Sequence, residues 1–303
     1  MTTFDEWRSG GSHLDRDGLS VFYRIDGEPA ESGEVLLCLH GFPCSSFDYH
    51  KLWPALAGRF RVLAFDMIGY GLSAKPIRWG YTTFDQVDVL EELLSRLAIE
   101  KVHILSHDYG NTITQELLAR DTESGLNFSI GSICFLNGAL FPETHRPILA
   151  QRLLISPLGF VFGRLIPDRA FRASLAKVFG PDTKPTASEA DIFLRLFKHG
   201  RGKRVAHRLI RYMRERAVYR QRWLEALENM KQPFLFINGS ADPVSGSHLV
   251  KRFRELIPNQ TGIVELPDIG HFPHLESPER VLEEYMHFRG RIAAKPDHAA
   301  DAH

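Results

Sequence analysis

The chain has 303 residues, 44% of them hydrophobic and 24% charged, and its 37 basic and 37 acidic residues cancel to a formal net charge of zero. At about 100 to 200 residues per domain this length predicts one large domain or two with a substantial core, and the neutrality argues against a generic nucleic-acid binder. Three cysteines, Cys38, Cys44 and Cys134, are too few for a disulfide scaffold and lack zinc-site spacing. No metal or cofactor is expected, and a reduced, cytoplasmic setting is. The first thirty residues hold no signal-peptide core and no 18-residue apolar run follows, so neither secretion nor a membrane span is expected.

Short runs rich in Val, Ile, Leu and Phe alternate with longer amphipathic stretches, the rhythm of a parallel sheet covered on both faces. In chain order the spacing predicts strands at Val35–His40, Arg61–Asp66, Val102–Ser106, Ser132–Asn137, Phe234–Asn238 and Gly262–Leu266. Helices are predicted near Asp48–Ala57, Thr83–Leu97, Gly110–Arg120, Ser247–Leu256 and Pro278–Arg289. The fold class is therefore α/β, doubly wound. From 141 to 230 no strand candidate occurs, and helical stretches are punctuated by Pro142, Pro147, Pro157, Pro167, Pro181 and Pro185. This predicts a helical cap between a first core part, 1–140, and a second, 231–292, lying over the C-terminal ends of the strands. Residues 293–303 are small and polar and are expected to be disordered.

The most informative segment is Ser106-His107-Asp108-Tyr109-Gly110, between an apolar strand and a helical pattern. A nucleophile elbow needs small residues two places either side of its apex, where the backbone is strained and crowded. Ser106 and Gly110 satisfy this only if Asp108 is the nucleophile. The competing reading is an ordinary turn with Asp108 as a helix N-cap. Asp242 in Asn-Gly-Ser-Ala-Asp-Pro and His271 in Gly-His-Phe-Pro-His follow later strands, and complete the order nucleophile, acid, histidine. In His40-Gly41-Phe42-Pro43 the Phe42 N–H is placed to form an oxyanion hole with that of Tyr109, while His40 is expected to brace the loop. The glycines after Asp66 fit no phosphate-loop pattern and read as a tight turn. Asn137 ends a strand near the site and is an alternative supporting group to Asp242.

These motifs resemble the α/β-hydrolase superfamily, in its aspartate-nucleophile branch of epoxide hydrolases and haloalkane dehalogenases. The resemblance is closer still to the mesoderm-specific transcript protein family, through HGFPCSSFDYHKLW, LSHDYGNTITQELLAR, LNGALFPETHRP, the run Arg211–Leu227 and DPV. It implies a mostly parallel sheet with a helical cap inserted after the sixth strand, with Asp108 as nucleophile, Asp242 as acid and His271 as base. The implied reaction is displacement at saturated carbon through an alkyl-enzyme ester that water then hydrolyses.

Epoxide opening requires a cap acid, and Tyr212 and Tyr219 stand seven residues apart on what reads as one amphipathic helix. Halide departure requires N–H donors, but position 109 is tyrosine where dehalogenases carry tryptophan, and the one cap tryptophan, Trp223, is near the cap's end. An epoxide hydrolase-like activity on a small, mainly apolar substrate is the expectation, with haloalkane dehalogenase as the alternative. A non-catalytic binding or lipid acyl-transfer protein on the same scaffold is the alternative from another class. His145 and Arg146 read as hinge residues in preference to pocket residues. Arg195 to Arg222 carries nine arginines, two lysines and one acid, Glu215. That run reads as a solvated face, with an anionic ligand, a partner or peripheral contact with an acidic lipid surface as the other readings.

Overall fold

The computed structural model describes residues 2–28 and 33–294. Its eight strands are β1 (Ser12–Arg16), β2 (Leu19–Asp26), β3 (Val35–Leu39), β4 (Arg61–Phe65), β5 (Lys101–Ser106), β6 (Ser129–Phe135), β7 (Phe234–Gly239) and β8 (Ile263–Leu266). They form one sheet in the order β1-β2-β4-β3-β5-β6-β7-β8. Pairing is parallel from β4 to β8 and antiparallel where β2 joins β1 and β4. The six predicted strands are present. The hairpin β1–β2 adds two that the apolar-run criterion passed over, because β1 is mostly exposed and polar.

Every residue of β3 is buried, as expected of a strand with helices on both sides. Leu37 and Leu39 join Leu63, Ile104 and Ile133 in a cluster with Val87, Leu90, Ile113 and Leu117 of the helices Thr83–Arg96 and Tyr109–Glu123. The alternate residues Leu36 and Cys38 join Val62, Leu105 and Cys134 in a second cluster with Trp53, Val281, Tyr285 and Phe288. The period of two thus divides the core between the sheet faces.

Parallel registry aligns the strand exits. Leu39 pairs with Ser106, and Ser106 with Phe135, so Phe42, Asp108 and Asn137 emerge side by side. Asp242 follows β7, and His271 follows β8. All five stand at the C-terminal edge of the sheet, where open α/β folds bind ligands.

Among the described residues, the stretch between β6 and β7 forms only helices: a short 3₁₀ turn at Pro142–Thr144, then Leu149–Ile155, Gly159–Leu165, Asp168–Val178, Ala187–Lys198, Gly202–Leu209, Tyr212–Val218 and Arg220–Glu228. Pro147, Pro157 and Pro167 each fall between these elements, consistent with proline's missing donor and fixed φ. The single helix expected to carry both cap tyrosines is two, and Tyr219 is the joint, with φ −100° and ψ 18°. The last helix runs Pro278–Ala293, and residues 295–303 of the expected disordered tail lie outside the described residues. Among the described residues no helix is long and apolar enough to cross a membrane.

Candidate active site

Asp108 has φ 47° and ψ −105°, a conformation that costs an L-residue energy and that its surroundings enforce. A Cβ on Gly110 would collide with the Leu39 carbonyl, and one on Gly138, itself at φ 151°, would collide with the Asp108 backbone. Small residues are therefore needed on both the helix side and the neighbouring-strand side of the apex. Asp108 precedes the helix Tyr109–Glu123, yet its side chain makes no capping bond to it. The carboxylate turns away, and its Oδ2 accepts the Phe42 N–H at 3.0 Å. Asp108 thus stands at the N-cap position without its side chain capping the helix. Tyr109 opens the helix, so its N–H is one of those without an intrahelical acceptor.

His271 and Asp242 meet through Nδ1 and Oδ2 at 2.7 Å, both buried. Asp242 is held by the Val244 N–H on Oδ1 at 2.7 Å, and by the Ser245 hydroxyl at 2.6 Å and Asn137 Nδ2 at 3.1 Å on Oδ2. Asn137 also exchanges bonds with the Gly239 backbone, so it braces the β7 exit and does not replace Asp242. Glu276 fixes the histidine loop from below: it accepts N–H groups of Gly270 and Phe272 on either side of His271, and that of Gly180 from the cap. The His271 N–H donates to the Val178 carbonyl at 2.8 Å, a second tie between this loop and the cap.

The charges form a buried sandwich. Burial disfavours the His271 imidazolium, but Asp242 and then Asp108 outweigh it and raise the pKa to about 9. Burial pushes the Asp108 carboxyl up, and His271, Arg216, His107 and the Phe42 amide together hold it below the ordinary range. Asp242 is likewise raised by burial and brought below its ordinary value by His271, Ser245 and the Val244 N–H.

Arg216 is a residue that sequence reasoning missed. It is 1% exposed. Its Nη2 donates to the Asp108 carbonyl at 3.2 Å and lies 3.7 Å from Oδ1, while Nε donates to Thr112 Oγ1 at 2.8 Å. The available signal was its place four residues after Tyr212, hence on the same helix face; a run rich in arginine masked it. That run is only partly paired with acids. Arg222 bonds Glu116 and Glu123, Arg220 bonds Glu143, and Lys198 and Lys203 bond Asp168. Arg195, Arg201, Arg204, Arg211 and Arg214 are exposed and have no acid partner among the described residues, so the run is part ion-paired and part solvated face.

Tyr212 is fully buried, stacked on Tyr109 at 4.6 Å between ring centroids and 6.1 Å from Phe42. Its hydroxyl has no hydrogen-bond partner among the described residues, and burial followed by the Asp108 charge keeps it protonated, with a pKa pushed well up. Tyr219 packs against Phe84 and Trp223. The Trp223 indole N–H donates to the buried Glu116 carboxylate at 2.9 Å. His145 is 3.4 Å from Arg216, and the Arg146 N–H donates to the Val244 carbonyl at 3.2 Å, fastening the cap entrance to the core. His40 accepts the Met67 N–H at Nε2, 3.1 Å, and its Nδ1 lies 3.0 Å from the Gly41 carbonyl, a bracing role.

An apolar cavity of about 70 Å³ meets this site at Phe42, Val244, His271 and Phe272 and is roofed by cap residues such as Ile148, Leu154, Phe171 and Leu175. No tryptophan lines it among the described residues. The arrangement can deliver a carboxylate to an electrophile entering from an apolar space, with a histidine-carboxylate pair beside it to handle water.

The alpha/beta hydrolase family profile matches residues 36–284. The chain is 38% identical over 293 residues to the mesoderm-specific transcript protein of Mus musculus, with 93% of this chain and 86% of that protein covered. The Homo sapiens homolog gives the same 38% identity and the same coverage, 93% and 86%. Among solved structures, haloalkane dehalogenase DbeA from Bradyrhizobium elkani USDA94 shares the fold, with a TM-score of 0.78 at 21% identity over 94% of this chain and 98% of that one. The sheet order, the strand-exit site and these matches lead to one conclusion: the chain belongs to the alpha/beta hydrolase family.

Proposed function

We propose that this protein hydrolyses an electrophilic carbon substrate through an ester on Asp108, with epoxide hydrolysis as the reaction. The observation that carries the reading is the Asp108 carboxylate itself: strained at the elbow, turned away from its helix and bonded through Oδ2 to the Phe42 N–H. A carboxylate so held presents Oδ1 for attack, and Oδ2 already occupies the position where negative charge develops when the ester is hydrolysed.

In the first step Oδ1 forms a bond to an epoxide carbon as the carbon–oxygen bond of the ring breaks. The departing oxygen takes a hydrogen bond or proton from Tyr212, whose buried, unpartnered hydroxyl supports this role. Ester formation removes the Asp108 charge, one of the attractions that keep His271 protonated. His271 can then pass its proton, by way of solvent, to the Tyr212–alkoxide pair, which restores the Tyr212 hydroxyl and leaves His271 neutral to act as base. It accepts a proton from water, whose oxygen adds to the ester carbonyl carbon. The Phe42 and Tyr109 amides stabilise the oxyanion; its collapse breaks the ester bond to the alkyl oxygen, that oxygen takes the proton of the new Asp108 carboxylic acid, and the diol leaves with Asp108 again a carboxylate and His271 again protonated. Asp242 orients and stabilises His271 throughout.

Arg216 favours a second reading, haloalkane dehalogenase, because a fixed guanidinium beside the nucleophile suits a leaving anion. The cavity offers no indole donor for a halide, and Trp223 is engaged with Glu116, so epoxide opening remains the better fit. A panel of epoxides, haloalkanes and p-nitrophenyl esters tests this. Epoxide turnover that is lost in Asp108→Ala is expected; halide release without epoxide turnover would move the assignment to the dehalogenase, and turnover unaffected by Asp108→Ala would overturn both.

A further inference from the structure

Of the seven large apolar side chains exposed among the described residues, five fall between positions 149 and 165: Leu149 at 68%, Leu158 at 58%, Phe160 at 45%, Val161 at 37% and Leu165 at 71%. They lie on and beside the paired helices Leu149–Ile155 and Gly159–Leu165. Scattered exposed apolar residues need no explanation, but a concentration of them does. Here two of them, Leu149 and Leu165, line a groove of about 510 Å³ whose walls also include Leu153 and Phe162. The groove shares Ile148, Ala150, Leu154, Ile166 and Ser174 with the inner cavity that reaches His271. Apolar lining is thus continuous from the exposed patch to the site.

The charge around the patch has one sign. Between 148 and 178 the sequence holds Arg152, Arg164, Arg169, Arg172 and Lys177 against a single acid, Asp168. Asp168 is taken by Lys198 and Lys203, and Arg172 by Asp191. Arg152, Arg164, Arg169 and Lys177 remain exposed and unpaired with an acid among the described residues. An apolar patch ringed by uncompensated cations is complementary to a surface that is apolar inside and anionic at its face.

We propose that this cap face docks on an anionic lipid bilayer and admits a bilayer-dissolved, long-chain apolar substrate through the groove. The substrate clause rests on the hydrolase reading above; the docking clause does not. The small inner cavity takes the reactive end, and the larger groove holds the chain.

The test is co-sedimentation of the full chain with vesicles of phosphatidylcholine, alone or mixed equally with phosphatidylglycerol, at low and high salt. Binding to the mixed vesicles that weakens with salt is expected. The exposed pair Leu158→Glu/Phe160→Glu lines neither groove nor cavity, and it should bind at least tenfold more weakly while hydrolysing a short water-soluble epoxide as the parent does. Replacing Arg152, Arg164 and Arg169 by Gln should weaken binding about fivefold per charge, about a hundredfold together. Unchanged binding in these variants, or none by the parent to either vesicle, would overturn the docking. A dimer in light scattering that Leu158→Glu/Phe160→Glu disperses would assign the patch to a second copy of the chain. Vesicle binding without turnover of any epoxide would leave the docking standing and remove the substrate clause.

Discussion

The Arg216 guanidinium reaches across the cap-to-core boundary to Asp108, donating to its carbonyl oxygen at 3.2 Å and lying 3.7 Å from its Oδ1. The position and charge of the Asp108 carboxylate are therefore set partly by the cap. Arg216 also holds Thr112 on the helix behind Asp108, so one side chain links the cap, the elbow and its helix.

Arg216→Gln keeps hydrogen-bonding capacity and removes the charge. An opposite charge at this range lowers a carboxyl pKa by about 1 to 3 units, so the acid limb of kcat/KM against pH should move up by about one unit or more. Arg216→Lys should restore part of the shift. A role confined to packing would reduce activity or stability and leave the limb in place.

For His271 the folded pKa, about 9, lies above its ordinary value of 6.5. Its attraction to Asp242 and Asp108 therefore contributes stability that is fully present below pH 6.5 and is lost as pH rises through about 9. The Tm gap between the parent and His271→Gln should be widest near pH 6 and narrow toward pH 9.5. Imidazole NMR should also show Asp108→Asn lowering the His271 pKa, because one of the carboxylates that raise it is gone. A gap independent of pH would contradict the charge sandwich.

Much of this site was legible because its chemistry sits on strand exits. The apolar runs located the strands, and the spacing of Ser106, Asp108 and Gly110 located the elbow. What was lost shares one cause, polar sequence read as surface. The β1–β2 hairpin is polar, although Asp17 at φ 53° and Gly18 at φ 79° form its two-residue link, and Asp-Gly is a strong hairpin signal. Arg216 was hidden in a basic run, and Glu276, which anchors three backbone N–H groups around His271 and the cap, carried no pattern that singled it out. For Tyr219 the cause is different: the helical period was carried across the break between two helices.

Tyr212→Phe separates the two leaving groups. Loss of a positioned acid should lower epoxide turnover by about 10² to 10⁴. Because the hydroxyl is buried without a partner, its removal should leave Tm unchanged or slightly raised. Halide departure needs no proton, so a dehalogenase would keep its rate. Full epoxide turnover in Tyr212→Phe would refute this residue as the acid.

The central claim is that Asp108 becomes an ester whose carbonyl carbon is attacked by water. Single-turnover hydrolysis of a substrate in ¹⁸O-water, followed by mass analysis of the peptide containing Asp108, tests it most directly. The account predicts one ¹⁸O atom in the Asp108 carboxylate and none in the first-turnover product. Label in that product with an unlabelled Asp108 would mean that water attacks the substrate directly, and would contradict the account.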